Sequence, residues 1–280
     1  MSAKKNKKAK APAEPTGLTE IDRLANLSPV GIQDYVAGVS AYIRQQSTLA
    51  KGPKKAAQIR LSNALARALA DELVAKVPTL KDKLVTDEQK VAGGLRTANA
   101  DVSESHKLDG LRLAVELKPI NLAVGRAIWN RFGDIRTFAV NIHLKFPFAV
   151  VGGVLVIPTY EETGSTAAEK AEQKEAAQAD GHEVDDEATE ATTEPEKPPI
   201  APSGRKSTVH LIERAIDRLI RAGGRKSEAE AAHLLEGIAV VVYEPDTATI
   251  RIDLPKKGSG LRWDEFVDSL AGAYAARFEA

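Results

Sequence analysis

Residues 100–118 carry the sequence ADVSESHKLDGLRLAVELK, which has two features of a β-hairpin. Leucine or valine recurs at every second position from Leu111 to Leu117, the period of a half-buried strand. The Asp109-Gly110 pair is a frequent turn sequence between antiparallel strands. The pattern predicts a second strand with Leu111, Leu113, Val115 and Leu117 on one face and Arg112, Ala114, Glu116 and Lys118 on the other.

The burial of Val102 limits how the two strands can pair. Directly opposed residues of an antiparallel pair point to the same side of the sheet, so Val102 should join the leucine face. Two registers achieve this. In one of them Asp101 opposes Glu116, and in the other it opposes Lys118. In both registers Asp101, Glu116 and Lys118 share one face, with Cβ atoms roughly 5–8 Å apart.

Two carboxylates and a lysine at that spacing are a candidate site for a hard cation. Mg²⁺ prefers oxygen ligands and keeps several waters, so we expect Asp101 and Glu116 to bind it. The metal can lower the pKa of a bound water and neutralise charge on a phosphodiester. Lys118 would orient the attacking water or stabilise the pentavalent phosphate. The alternative is a cross-strand salt bridge on the exposed side of a strand.

This arrangement resembles the PD-(D/E)XK nuclease superfamily, the fold of most Type II restriction endonucleases. The resemblance covers about residues 54–157: a long helix, Asp101, the motif Glu116-Leu117-Lys118, a second helix and a strand. It implies a restriction-endonuclease-like core in which Asp101 and Glu116 bind Mg²⁺ and Lys118 assists the nucleophilic water. Ala100 stands where the family name has proline, a position that carries no metal ligand.

The resemblance also implies a function, a partner and a further ligand. The expected activity is Mg²⁺-dependent cleavage of duplex DNA by a homodimer, leaving a 5′ phosphate and a 3′ hydroxyl. A glutamate on the preceding helix joins the metal site in some members, which makes Glu72 a candidate third ligand. Glu72 lies within the apolar stripe of its helix, where a carboxylate needs a partner or a metal; the alternative is a flank position that reaches water.

The remaining sequence predicts an α/β fold, a mixed central sheet flanked by helices. Helical patterns cover 17–51, 54–77, 121–145, 207–222 and 263–278, an apolar strand covers 149–157, and a second hairpin covers 238–254. We expect four segments: a disordered basic tail (1–15), the nuclease core (16–160), a disordered acidic linker (161–203), and a helix–hairpin–helix part (204–280) that completes the same domain.

The formal net charge of zero conceals a strong asymmetry along the chain. Residues 161–198 hold thirteen acidic and three lysine side chains, whereas residues 51–160 hold 17 basic and 10 acidic ones. The locally basic core favours a polyanionic partner such as DNA. Arg126, Asn130 and Arg131 follow the candidate catalytic strand and are predicted to contact phosphates or base edges, unless they form only a solvated helix face.

The composition excludes several classes of protein. The chain has no cysteine, so it has no disulfides, thiolate nucleophiles or sulfur-ligated metal sites. There is no apolar run of membrane-spanning length and no secretory h-region near the lysine-rich start, so we expect a cytoplasmic location and no membrane contact. Two rival functions stay open: a non-catalytic DNA-binding or complex-forming protein of the same fold, and an interaction protein whose acidic linker binds a basic partner.

Overall fold

The computed structural model describes residues 16–121, 123–162, 200–201 and 205–279. Its helices are α1 (Thr19–Leu24), α2 (Ile32–Gln45), α3 (Lys51–Lys76), α4 (Val124–Lys145), α5 (Val209–Leu219) and α6 (Trp263–Phe278), with 3₁₀ turns at Pro78–Leu80 and Ile220–Ala222. Its strands are β1 (Gln89–Val91), β2 (Ala98–Ala100), β3 (Val102–His106), β4 (Gly110–Pro119), β5 (Val150–Pro158), β6 (Tyr160–Glu162), β7 (Ile200–Ala201), β8 (Arg205–Ser207), β9 (Gly237–Glu244) and β10 (Thr249–Ile250).

A five-stranded mixed sheet forms the centre of the fold, in the order β10-β9-β5-β4-β3. Strands β4, β5 and β9 are parallel, while β3 and β10 pair antiparallel at the two edges. Helices cover both faces of this sheet, which confirms the prediction of an α/β fold with a mixed central sheet. In the described ranges, no helix combines the length and the apolarity needed to cross a bilayer.

The two faces of the sheet are covered by different helices. Helices α1, α2, α3 and α6 pack on the face that carries Leu113, Val115 and Leu117. Helices α4 and α5 pack on the face that carries Ala114. Strand β4 therefore sends its odd-numbered residues from 113 onward to one layer and its even-numbered residues to the other, as period-two alternation requires.

Helix α3 and strand β5 form where the sequence predicts them. The leucines spaced every four residues along α3, from Leu61 to Leu73, are all buried in the core that includes the leucine face of the sheet. The helix ends at Val77-Pro78, because the residue before proline disfavours the helical conformation. All nine residues of β5 are buried, as expected for a strand between two parallel neighbours.

The β3–β4 hairpin has one of the two expected registers and one irregularity. Val102 pairs with Val115, the register in which Asp101 comes opposite Glu116. Between Glu104 and Ser105 the register shifts, because Arg112 is one extra residue on β4. The prediction that Leu111 shares a face with Leu113 is therefore wrong: Leu111 turns to the α4 layer.

Because of the bulge, Arg112 faces α6, whereas strict alternation would place it on the same face as Ala114. Its guanidinium lies 5.0 Å from the centre of the Phe278 ring at the end of α6. The same guanidinium pairs with Asp109 at the hairpin turn. On this face Tyr274 donates a hydrogen bond to the buried Glu104 at 3.1 Å. The bulge therefore ties the hairpin end to the carboxyl-terminal helix.

A small antiparallel sheet, β6-β8-β7, lies where the chain departs from β5 and returns towards α5. Tyr160 pairs with Ser207 and Glu162 with Arg205, so the departing and returning chains run side by side. Residues 161–162 and 200–201, which the sequence assigns to the acidic linker, are strand. The predicted disorder of residues 163–199, of 202–203 and of the 1–15 tail lies outside the described residues.

A buried ionic network is centred on Glu236, the residue that immediately precedes β9. The Glu236 carboxylate, fully buried, receives Arg225 at 2.9 Å and Arg277 at 2.8 Å on one oxygen. Its other oxygen accepts the Val151 N–H at 2.8 Å and lies 3.4 Å from His143 Nε2. Burial by itself would raise the pKa of Glu236, but His143, the Val151 N–H and Arg277 together hold it below the ordinary value.

Replacing Glu236 by alanine should destabilise the protein by about 3–5 kcal/mol, because two buried guanidiniums would lose their counter-charge. Urea unfolding at pH 7 measures this loss, and Glu228→Ala, which removes an exposed acid from the same loop, is the control. Since the pKa of Glu236 is lowered, its contribution is present above the ordinary carboxyl pKa and disappears as pH falls through the lowered one. Equal stability of both variants at pH 7 would contradict this role.

Candidate active site

Strand pairing places Asp101 beside the Glu116–Lys118 motif. Asp101 immediately precedes β3, and its N–H donates to the Val115 carbonyl at 3.0 Å. One carboxylate oxygen of Asp101 accepts the Leu117 N–H at 2.6 Å. The Asp101 side chain is thus fixed against the backbone of the motif by a charge-assisted hydrogen bond.

Glu116 and Lys118 are two residues apart on β4 and share the face that looks towards α4. Their side chains form an ion pair, with Lys118 Nζ 2.7 Å from Glu116 Oε1. Both groups are largely shielded, with side-chain exposures of 13% for Glu116 and 23% for Lys118. The three predicted catalytic residues therefore lie at the same end of the β3–β4 pair, and strand pairing fixes their positions.

Burial disfavours the charged form of both carboxylates. Burial raises the pKa of Asp101, an effect that the Leu117 N–H and Lys118 oppose and the charge of Glu88 reinforces. Burial also raises the pKa of Glu116; Lys118 opposes the rise, and the charges of Asp134 and Asp101 add to it. A cation between such groups would remove both the repulsion and the incomplete solvation.

One oxygen of Glu116 is left without a partner. Oε2 is buried and accepts no hydrogen bond, although a carboxylate oxygen is normally satisfied when buried. A hard cation is one ligand that meets such an oxygen. This unpartnered acceptor is compatible with the predicted metal-ligating role of Glu116.

The number of acids is small for a metal site. Across the part of the chain that the structure describes, no group of three or more His, Asp or Glu side chains is placed to hold one ion. Mg²⁺ tolerates this, because it commonly binds one or two carboxylates and fills its octahedron with waters and substrate phosphates. The donor set of Asp101 and Glu116 is therefore compatible with Mg²⁺.

Glu72 is not brought to this group. Its helix, α3, packs on the leucine face of β4, whereas Glu116 and Lys118 look towards α4 on the other face. One Glu72 oxygen accepts the Trp263 indole N–H at 2.7 Å. Burial raises the pKa of Glu72, and the charges that act on it are Lys76 and Asp264. Glu72 therefore has the partner that its place in the apolar stripe requires, the Trp263 indole, and it lies on the other face of the sheet from its predicted metal site.

The three predicted DNA contacts lie on α4, and only one is near the cluster. Arg126 and Asn130 are exposed. Arg131 is half-buried and pairs with Asp134 at 2.9 Å. Since the charge of Asp134 acts on Glu116, the Arg131–Asp134 pair adjoins the candidate site. The DNA-binding role of all three stays a prediction.

Sequence reasoning missed Asp134 and Glu88 as charged neighbours of the site. Asp134 departs from the apolar stripe of α4 and follows Arg131 by three residues, a spacing that places both on one side of the helix. That spacing could have indicated it. Glu88 precedes the short strand β1, and no sequence pattern relates it to Asp101.

Comparison with known proteins finds no matching family model, no matching curated protein and no matching solved structure.

The raised pKa of Asp101 predicts that its charge destabilises the metal-free protein at neutral pH. Asp101→Asn should raise the melting temperature at pH 7.5 in EDTA by roughly 2 °C, the shift that about 1 kcal/mol causes in a protein of this size. The protonated carboxyl favours the folded state at low pH, and this benefit is lost as pH rises through the raised pKa. The difference in melting temperature between Asp101→Asn and the wild type should therefore become smaller as pH falls towards 4.

Differential scanning fluorimetry across this pH range is the measurement. Asp87→Asn, at an exposed position shortly before β1, should leave the melting temperature nearly unchanged. A fall in melting temperature for Asp101→Asn at pH 7.5 would show that the carboxylate charge stabilises the fold instead.

Proposed function

We propose that the protein is an Mg²⁺-dependent DNA endonuclease that hydrolyses phosphodiester bonds of duplex DNA, in the manner of a Type II restriction enzyme acting as a homodimer. The observation that carries the proposal is the meeting of Asp101, Glu116 and Lys118 at one edge of the β3–β4 pair, with one buried Glu116 oxygen unsatisfied. The resemblance to the PD-(D/E)XK superfamily supplies the chemical class.

The order of elements around the site supports a restriction-endonuclease-like core. Asp101 precedes β3, the Glu116–Lys118 motif lies in β4, α4 follows, and β5 returns parallel to β4. The sequence resemblance implies the same succession of aspartate, strand motif, helix and strand.

Each residue of the site has a chemical task in this proposal. Asp101 and Glu116 would each offer carboxylate oxygens to Mg²⁺, which supplies Lewis-acid stabilisation and a water of lowered pKa when bound. Lys118, now paired with Glu116, would turn its ammonium to the attacking water and the negative charge on the pentavalent phosphate. The water oxygen would bond to phosphorus and release its proton to solvent as the bond from phosphorus to the 3′ oxygen breaks; the 3′ oxygen would take a proton from solvent, leaving a 5′ phosphate and a 3′ hydroxyl.

Lys118→Ala should reduce cleavage of plasmid DNA in Mg²⁺ by about 10²–10³-fold, because the charge developed on the phosphate loses an ammonium partner. Agarose gel assays of cleavage and anisotropy of labelled duplex measure rate and binding separately, and binding should persist. Lys107→Ala removes an exposed lysine from the turn of the same hairpin and serves as the matched control. Full activity in Lys118→Ala would refute the assigned role.

Mg²⁺ should stabilise the wild-type protein without DNA, by about 2.7 kcal/mol at one hundred times its dissociation constant. Stabilisation should decrease as pH falls towards the raised carboxyl pKa values, because protons then compete with the metal. Thermal unfolding with and without Mg²⁺ measures the effect. Asp101→Asn and Glu116→Gln should lose it and Asp87→Asn should keep it; equal stabilisation of all variants would place the metal elsewhere.

One observation favours a non-catalytic DNA-binding or complex-forming protein on the same fold as the second candidate. Lys118 and Glu116 already neutralise each other at 2.7 Å, as they would in a structural ion pair. Wild-type protein that binds duplex DNA and leaves it intact in Mg²⁺ or Mn²⁺ would select this candidate.

A further inference from the structure

A basic cleft lies between α4 and the end of α5, away from the candidate active site. Its volume is about 580 Å³, and its lining is Phe132, Arg136, Arg218, Arg221, Ala222 and His233. Pockets of 300–1,000 Å³ are typical of small-molecule sites. The lining carries three guanidiniums and no carboxylate, so the cleft is suited to an anion.

The guanidiniums are held in position without being neutralised. Arg218 lies 4.5 Å over the Trp129 ring, and Arg136 lies 5.8 Å from the centre of Phe132. The Arg221 Nε–H donates to the Asp217 backbone carbonyl at 3.2 Å. Among the described residues, no carboxylate forms an ion pair with any of the three arginines. Aromatic rings and a carbonyl thus orient charges that stay available to a ligand.

The cleft and the candidate active site occupy opposite flanks of α4. At 100° of rotation per residue, Phe132 and Arg136 lie on one side of its buried stripe, and Arg131 and Asp134 lie on the other. The Arg131–Asp134 pair adjoins Glu116, whereas Arg136 faces α5. The two sites are therefore separate in space and can be altered independently.

We propose that this cleft binds the phosphate groups of a nucleotide, carried either by a free nucleotide or by a nucleic acid strand. Arginine matches phosphate through bidentate hydrogen bonds, and three arginines around one cleft can satisfy more than one phosphate group. Phe132 offers an aromatic surface against which a base can stack, and the cleft is larger than one phosphate requires. This site goes beyond the proposed nuclease function and does not depend on cleavage.

The test uses the full chain in EDTA, so that binding is measured without metal or hydrolysis. The probes are a fluorescein-labelled 12-nucleotide single strand, its duplex, ATP and inorganic phosphate, followed by anisotropy or isothermal titration calorimetry. The variant is Arg218→Ala/Arg221→Ala. The matched control, Lys256→Ala/Lys257→Ala, removes the same charge from two exposed positions outside the cleft.

The arginine double variant should weaken binding of a nucleotide probe at least 10-fold, since each lost charge-assisted hydrogen bond alone accounts for about that factor. The lysine control should change it less than about 3-fold, because exposed charges contribute little. Competition by ATP against the labelled strand would identify a free-nucleotide site, and binding of strands alone would identify a strand-phosphate site.

Three results would overturn the proposal: equal weakening in both double variants, absence of binding by every nucleotide probe, or inorganic phosphate binding as tightly as ATP and the strands. Thermal unfolding checks that the variants fold. Should the arginine double variant unfold, Arg136→Gln replaces it, with at least about 3-fold weakening expected and unchanged binding contradicting the proposal. None of these outcomes changes the result expected from cleavage assays on Lys118→Ala, so each of the two proposals can be refuted independently of the other.

Discussion

The pairing of β3 with β4 is the constraint on which the candidate site depends. Val102 must face the apolar layer under α3, and the Val102–Val115 pair that satisfies this places Asp101 against the Leu117 N–H. A shift of one residue would turn Val102 into the polar face and move Asp101 out of reach of that N–H. Hydrophobic burial on one side of the sheet therefore determines where charged groups meet on the other.

That meeting of charges works against stability. Burial raises the pKa of both Asp101 and Glu116, nearby carboxylates add to the rise, and Lys118 compensates only in part. The Glu236 network shows the opposite arrangement, because His143, the Val151 N–H and Arg277 outweigh burial and lower the pKa of its carboxyl. A carboxylate fully surrounded by donors serves the fold, whereas an under-compensated pair is typical of functional sites.

Much of the fold follows from periodicity, and the departures have physical causes. The leucines of α3, the apolar run of β5 and the alternation in β4 give helix, buried strand and half-buried strand. Sequence spacing could not reveal the Arg112 bulge, because an extra residue depends on the partner strand and on packing against Phe278. Burial arguments reduced the hairpin to two registers without choosing between them.

Contacts between distant segments were the least accessible to sequence reasoning. Glu72 and Trp263 are 191 residues apart, and the hydrogen bond between them depends on the docking of α6 against α3. The basic cleft likewise requires Arg136 and Arg218 to approach from two helices separated by the acidic segment. Composition showed a basic central region but not where its charges gather.

The pairing of β6 with β8 has a consequence for how the chain can vary. Where Glu162 and Arg205 pair, the chain leaves and re-enters one strand spacing apart, about 5 Å. Closing a loop whose ends already meet costs only about 0.6 kcal/mol more for each doubling of its length. The length of chain between Glu162 and Ile200 can therefore change during evolution while the pairing of β6 with β8 stays the same.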